Sequence, residues 1–500
     1  MKRILYMTLM LILPAVGVAQ NNRINEMYEE FNRKVEECYA SFNEKIAEMS
    51  KQFEEEMTAQ WVLFPQFETP VPKREPDPFW GWEWDTWPED GGRCFPAGGI
   101  ARPELRITEL ATTESTAPAP VAPPAPLPAD NPEAWEMVTI NPFFLQTLLN
   151  CQSPRQCMGS SIATLGPVDI AEFYKEIRES ISPIANFCAN YIQKAQLCDW
   201  AVFQLAKSVA VQLYPNRSDE QAVATVCLLN HLGYMARVGK SQDAAVCMLP
   251  IEGIIYGASG YHIDGKSYYG FGMDPAESYL RNCTTYAVDY PEASKTIDLN
   301  IYRPMHLEYV PSDHTFISSY KGDTVEITIN ASLIDLYAGY PWTTLDVYAN
   351  AQPDPAWVAE MEKVFEPRLR DKPERRQVAA ILDYVQHSFK YATDQDQFGK
   401  EKYFFCEENF YYPSNDCEDH AILFSFLVRH FLSLEVVLLD YPDHVATAVR
   451  FSDPDAKGDA VIHNGRKYIV CDPTYTGATI GETMPGYETA SVEIVELKEI

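Results

Sequence analysis

The stretch AILFSFLVRHFL, Ala421 to Leu432, sets the strictest condition on how this chain folds. Wound as an α-helix, it puts apolar side chains on nearly every face, a pattern that suits a helix enclosed on all sides. Just before it the chain reads YYPSNDCEDH, Tyr411 to His420. Asn415 or Asp416 can cap the helix, which places Cys417 in its first turn. The N–H groups and the positive dipole end found there favour a thiolate, and they can also hold an oxyanion. Asp416, Glu418 and Asp419 oppose the thiolate, so a nucleophilic Cys417 needs a base from elsewhere.

His444 can supply that base. YPDHVATAVRF reads as a strand starting at His444, with Val445, Thr447 and Val449 on one face and Ala446 and Ala448 on the other. The small alanines suit the face turned to the buried helix. NGRKYIVCDPTYTG follows as a hairpin turn at Asn464-Gly465, a strand to Cys471, then Asp472-Pro473. If Asp472 accepts a hydrogen bond from one imidazole nitrogen, the other faces Cys417, giving nucleophile, base and orienting acid. This requires the His444 and Asp472 strands to be adjacent and antiparallel, so Asp459–His463 is expected at the sheet edge. Asp440, Asp443 and Asp459 are weaker alternatives for the acid. Gln397, Tyr411 and Tyr412 are candidates for the oxyanion partner. His420 reads as a helix-face residue, and His430 and His463 carry no supporting pattern.

The order Cys, His, Asp, with DCED opening an apolar helix, HVA opening a strand and CDPTY ending one, resembles the transglutaminase-like superfamily. The similarity covers about Gln377 to Gly481 and is closest in style to secreted bacterial members. It implies a papain-like cysteine-peptidase fold, with Cys417 as nucleophile, His444 as base and Asp472 as orienting acid. It implies attack on a peptide or glutamine carboxamide and a thioester that water or an amine resolves, with no cofactor. Two alternatives stay open: a non-catalytic cell-envelope binding or assembly protein with a relic triad, and a cysteine peptidase of narrow specificity.

The rest of the chain frames that domain. Residues 1–19 read as a signal peptide, with Lys2 and Arg3, an apolar run from Ile4 to Val18, and small Gly17 and Ala19. Export to the periplasm or beyond is expected, with no transmembrane span after cleavage. A formal net charge of −31 argues against a nucleic-acid partner; the expected partner is a protein or peptide substrate. Export permits disulfides among Cys151/Cys157, Cys188/Cys198 and Cys227/Cys247, though spacing fixes no connectivity. No CxxC pair occurs, so a structural zinc site is not expected.

Residues 20–64 read as an amphipathic helix whose stripe (Ile24, Tyr28, Phe31, Val35, Cys38, Phe42, Ile46, Met49, Phe53, Met57) packs on the body or self-associates. Residues 65–135 hold a tryptophan-rich loop (Trp80, Trp82, Trp84, Trp87) and a Pro/Ala linker at 115–132. Residues 140–285, helical at first from Pro142, read as a degenerate transglutaminase-like module, with Ser218 where Cys417 would stand. Cys198, His262 and Asp274 form a rival triad there, discounted because Cys198 sits inside a helical pattern. Residues 293–350 read as a small β-unit. Residues 355–490, with two amphipathic helices leading in, are the catalytic domain of an α+β chain.

Overall fold

The computed structural model describes residues 18–72, 106–108, 135–140, 147–154, 161–273, 282–313, 315–320, 323–488 and 490–499. The start of the expected signal segment, the four loop tryptophans and the Pro/Ala linker lie outside them. The amphipathic helix runs Val18–Thr58 and stops short of the expected end, because the chain turns at once into strands Val62–Leu63 (β1) and Gln66–Glu68 (β2). Its apolar stripe is divided. Phe53 and Met57 are buried, and the Phe53 ring meets Tyr174, Tyr286 and Tyr290 edge-on at 5.4–5.7 Å. Phe31, Cys38, Phe42 and Met49 of the same stripe are exposed. Own-body packing therefore holds for the last turns only.

Three strands, Arg106–Thr108 (β3), Trp135–Ile140 (β4) and Thr147–Pro154 (β5), form a small sheet in the order β3-β5-β4. This corrects the expectation of helix from Pro142 onward. Asn150, Cys151, Ser153 and Pro154 are poor helix formers, and that local preference prevails. Helices Pro167–Ser180, Ser182–Ala195, Asp199–Leu213 and Ser218–His231 follow, the last buried continuously from Glu220 to Asn230.

The first large sheet is built from Arg237–Ser241 (β6), Ala244–Glu252 (β7), Ser259–Ile263 (β8), Lys266–Phe271 (β9), Thr284–Thr285 (β10) and Ile297–Asp298 (β11). With β1 and β2 at its edges it runs β1-β10-β6-β7-β9-β8-β2, and β11 adds a short parallel pairing to β7. Arg237 is fully buried in it, its guanidinium bound to Asp289 at 2.7 Å and to the Tyr286 carbonyl at 2.8 Å.

The expected β-unit at 293–350 is mostly not a sheet. Among the described residues this range holds the short β11, which pairs with β7, and a separate two-stranded sheet of Phe316–Tyr320 (β12) and Asp323–Ile327 (β13), with helices Ala331–Ala338 and Leu345–Ala349 in its second half. Leu333, Ile334, Leu336 and Tyr337 satisfy a helical period as well as a strand one, and the Asn330 side chain caps Ser332 N.

Helices Pro355–Leu369 and Glu374–Ser388 match the two expected amphipathic segments. A short helix Asp394–Phe398 and a 3₁₀ turn Cys406–Phe410 lead to the helix Cys417–Leu432, every residue of which is buried from Cys417 to Arg429. Val436–Asp440 (β14), Val445–Val449 (β15), Ala460–His463 (β16), Arg466–Cys471 (β17) and Glu493–Glu496 (β18) form an antiparallel sheet ordered β16-β17-β15-β14-β18. Mixed helices and mainly antiparallel sheets make the chain α+β.

The two large sheets share one plan. Each follows a buried helix, and β10-β6-β7-β9-β8 repeats the order and antiparallel sense of β18-β14-β15-β17-β16. Each outer hairpin turns through two positive-φ residues, Asp264 (50°) and Gly265 (75°) in one, Asn464 (49°) and Gly465 (72°) in the other.

Candidate active site

The segment before Cys417 is held from both sides. Asn415 N donates to Lys390 O at 2.9 Å, and Asn415 Nδ2 reaches Asn409 Oδ1 at 2.6 Å. Asp416 is the N-cap, and its own N–H donates to Asp419 Oδ2 three residues on. Asp419 Oδ1 accepts from Phe404 N at 2.9 Å, which ties the first turn to the preceding loop. Cys417 is therefore the first helical residue, 5% exposed, and its thiol donates to Glu418 Oε2 at 3.0 Å.

The helix packs on β14 and β15. The face it meets carries Val445, Val449, Ile469 and Cys471, which share its core. This reverses the expected face. Ala446 and Ala448 look the other way, where small side chains make room for Tyr441, Met484 and Tyr487.

His444 immediately precedes β15 and Asp472 immediately follows β17. Those strands are adjacent and antiparallel, with Thr447 opposite Cys471, so both residues emerge at one end. The β16 strand lies outside β17 at the edge, as the pairing requires. His444 Nε2 and Asp472 Oδ2 are 2.9 Å apart, and both residues are 1% exposed. Asp472 Oδ1 accepts from Thr474 N and Tyr475 N, each at 3.0 Å. Burial alone would raise the Asp472 carboxyl, but the His444 imidazole and these two N–H groups hold it below the usual aspartate range. An ionised Asp472 makes Nε2 the protonated nitrogen, leaving the lone pair on Nδ1. Tyr441 and Tyr487 flank the imidazole at 6.3 and 5.3 Å between ring centres.

The other expected acids do not take this place. Asp459 accepts from Thr483 N at 3.1 Å, and Asp440 ends β14 opposite Val445. Gln397 Nε2 is bound to Ser414 O at 3.1 Å, while Tyr411 and Tyr412 pack edge to face. His420 is deeply buried beside the Pro473 backbone. Burial pushes it down to about 4 against the opposing pull of Asp472 and Glu418, so it is neutral at pH 7. Its contacts bring the first turn of the Cys417 helix against the Asp472-Pro473 turn.

Several groups had weak sequence signals or none. Gln386 Nε2 donates to the carbonyls of Asp472 (2.8 Å), Tyr475 (2.9 Å) and Ala478 (3.2 Å), clamping the turn that carries the acid. Its signal was a polar residue on the apolar stripe formed with Leu382, Val385 and Phe389. Asp394 and Glu401 join the acids around Cys417: oxygens of Asp394, Asp416 and Asp419, and of Asp394, Glu401 and Glu418, lie within 4.8 Å of one another. Burial, then Glu418 and Glu401, push Asp394 up to about 8, against Lys402 and its N–H.

The first sheet places other residues at the matching positions. Counting from the opposed pairs Cys247–Phe271 and Thr447–Cys471, Ala244 corresponds to His444 and Gly272 to Asp472. Ser218 opens its helix as Cys417 does. In the rival set, Cys198 is in fact the N-cap of Asp199–Leu213, contrary to expectation. Its thiol is raised to about 11, chiefly by burial. His262 is exposed and stacked on Phe67, and Asp274 lies outside the described residues. Cys188, Cys198, Cys227 and Cys247 are free thiols. Among the described residues no helix is long and apolar enough to cross a membrane. No family model, curated protein or solved structure matches the chain.

Proposed function

We propose that the chain is an exported cysteine enzyme of the transglutaminase-like type, acting on peptide or glutamine amides through Cys417, His444 and Asp472. The observation that carries this reading is the His444–Asp472 hydrogen bond at the end of the sheet on which the Cys417 helix packs. Asp472 holds the imidazole with Nδ1 as the basic atom. The Cys417 thiol turns from Glu418 and passes its proton to Nδ1, and the sulfur bonds to the amide carbon. The oxyanion is received by the helix N–H groups. His444 returns the proton to the leaving ammonia or amine, which departs as the thioester forms. Water or a primary amine then attacks the thioester, losing a proton to His444, and the thiol is regenerated.

The repeated strand order supports reading the first unit as a second copy without this chemistry. Ser218, Ala244 and Gly272 offer no base and no orienting acid, so its role is to hold a substrate chain or brace its neighbour. A non-catalytic reading draws on one observation: Cys417, His444 and Asp472 are 5%, 1% and 1% exposed, so the resting site is closed. The test is incubation with glutamine-containing peptides and a fluorescent primary amine, following both deamidation and amine incorporation by mass spectrometry. Turnover abolished in Cys417→Ala supports the enzyme. Turnover retained in Cys417→Ala contradicts the assignment, and no turnover across a broad panel favours the binding protein.

A further inference from the structure

Over residues 29–52 of the helix Val18–Thr58, a length of about 35 Å, no residue is buried. Phe31, Phe42 and Met49 of its apolar stripe are 42%, 60% and 47% exposed, and Tyr39 beside them 47%. A continuous apolar stripe of this length in water marks a contact surface. Its spacing says what fits. Phe31, Val35, Cys38, Phe42, Ile46, Met49 and Phe53 follow one another at steps of four, three, four, four, three and four. The series is the same read from either end, with Phe42 at its centre. Its two successive periods of eleven residues, close to the helix's own repeat, keep the stripe almost straight. A second copy laid antiparallel therefore meets it in register. Phe42 packs against the partner's Phe42, Cys38 against the partner's Ile46, and Val35 against the partner's Met49.

The charges agree with that direction. Lys34 and Lys45 flank the stripe on one side, with Glu37 and Glu48 beyond them on the same side. Antiparallel packing brings this side to itself, so Lys34 reaches the partner's Glu48 and Lys45 reaches the partner's Glu37. Within its own chain Lys34 meets Glu30 at 2.8 Å and Arg33 meets Glu37 at 2.7 Å. All four side chains are more than half exposed, so these weak pairs exchange readily. The buried Phe53 ends of the two helices would lie at opposite ends of the contact. That separates two bodies of strongly negative formal charge, which a parallel pair would set side by side. Carboxylates outnumber basic side chains over residues 29–52, which does not suit an anionic lipid surface.

We propose that residues 29–52 are a dimerisation surface whose occupant is the same segment of a second copy, packed antiparallel about Phe42. The apolar layers supply the attraction, and the lysine–glutamate pairs set the direction. The contact uses no residue of the Cys417 site, so its test is separate from that of the proposed reaction.

The experiment uses the full chain. Sedimentation velocity over a concentration series is expected to show a reversible passage from one copy to two. Phe42→Glu sets two carboxylates against each other at the centre and keeps the chain as one copy. Its Tm in dilute solution matches wild type, because the buried core does not use that side chain. Lys34→Glu weakens the dimer by roughly tenfold, and adding Glu48→Lys restores it. Mild oxidant leaves Cys38 uncrosslinked, since antiparallel packing sets the two thiols about 12 Å apart along the axis. Phe42→Cys combined with Cys38→Ser crosslinks at position 42, located by mass spectrometry. A single copy at every concentration overturns the surface, as does a dimer that persists in Phe42→Glu. Crosslinking of Cys38 to the partner's Cys38, or no restoration by Glu48→Lys, overturns the antiparallel packing. Single copies that bind phosphatidylethanolamine–phosphatidylglycerol vesicles through Phe42 overturn it in favour of a lipid surface.

Discussion

His444 Nε2 donates to Asp472 Oδ2 at 2.9 Å although 28 residues separate them in sequence. The contact follows from strand order: β16 is displaced to the edge, which lets β15 and β17 pair and brings both residues out at one end.

Replacing the acid tests what that contact does. Asp472→Asn is expected to lower kcat by about a hundred- to ten-thousandfold, because an amide no longer enforces the tautomer with Nδ1 basic. Its stability effect depends on pH. The folded carboxyl is held below its ordinary value, so its contribution is present above about pH 4 and is lost as pH falls through the folded value. Urea unfolding at about pH 7 and about pH 3 should show wild type and variant diverging at the first and converging at the second. Equal differences at both would contradict the assignment.

Glu407 gives the opposite slope. It is 1% exposed and accepts from Asp354 N at 2.7 Å, and burial pushes its carboxyl from 4.5 up to about 7. Between those values the folded chain keeps a proton that the unfolded chain has released, so stability declines as pH rises. Glu407→Gln retains the acceptor for Asp354 N and removes the titration. Measured by denaturant midpoint, the variant should gain on wild type above about pH 7, by roughly 3 kcal/mol at most, with no gain near pH 4. A gain independent of pH would contradict it.

The division of the N-terminal helix predicts two unlike alanine variants. Phe53→Ala removes a fully buried ring from among three tyrosines and should cost about 3–5 kcal/mol, with faster proteolysis of the helix. Phe42→Ala, at a residue 60% exposed, should stay within about 0.5 kcal/mol. Thermal unfolding and limited proteolysis of both variants distinguish a docked end from a free one.

Legibility in the sequence followed how local each constraint is. Apolar residues around every face of Ala421–Leu432 demand enclosure whatever surrounds them, and the helix is enclosed. The cap at Asp416 and the Asn464-Gly465 turn are also short-range statements. The sequence alone points to the wrong face of β15, because its neighbours Tyr441, Met484 and Tyr487 arrive partly from far along the chain. Ala331–Ala338 has an apolar spacing that fits both periods, and the Asn330 cap decides for the helix. The acid cluster stayed hidden because Asp394 and Glu401 reach the Cys417 turn only through the tertiary fold.

In the proposed reaction His444, oriented by Asp472, makes Cys417 a nucleophile. It is tested most directly by alkylating the native chain with iodoacetamide across pH and locating the label by mass spectrometry. Cys417 is expected to be labelled preferentially at neutral pH, and His444→Ala to slow this labelling while leaving the other thiols unchanged. Cys417 reacting no faster than the other accessible thiols, with His444→Ala making no difference, would contradict it.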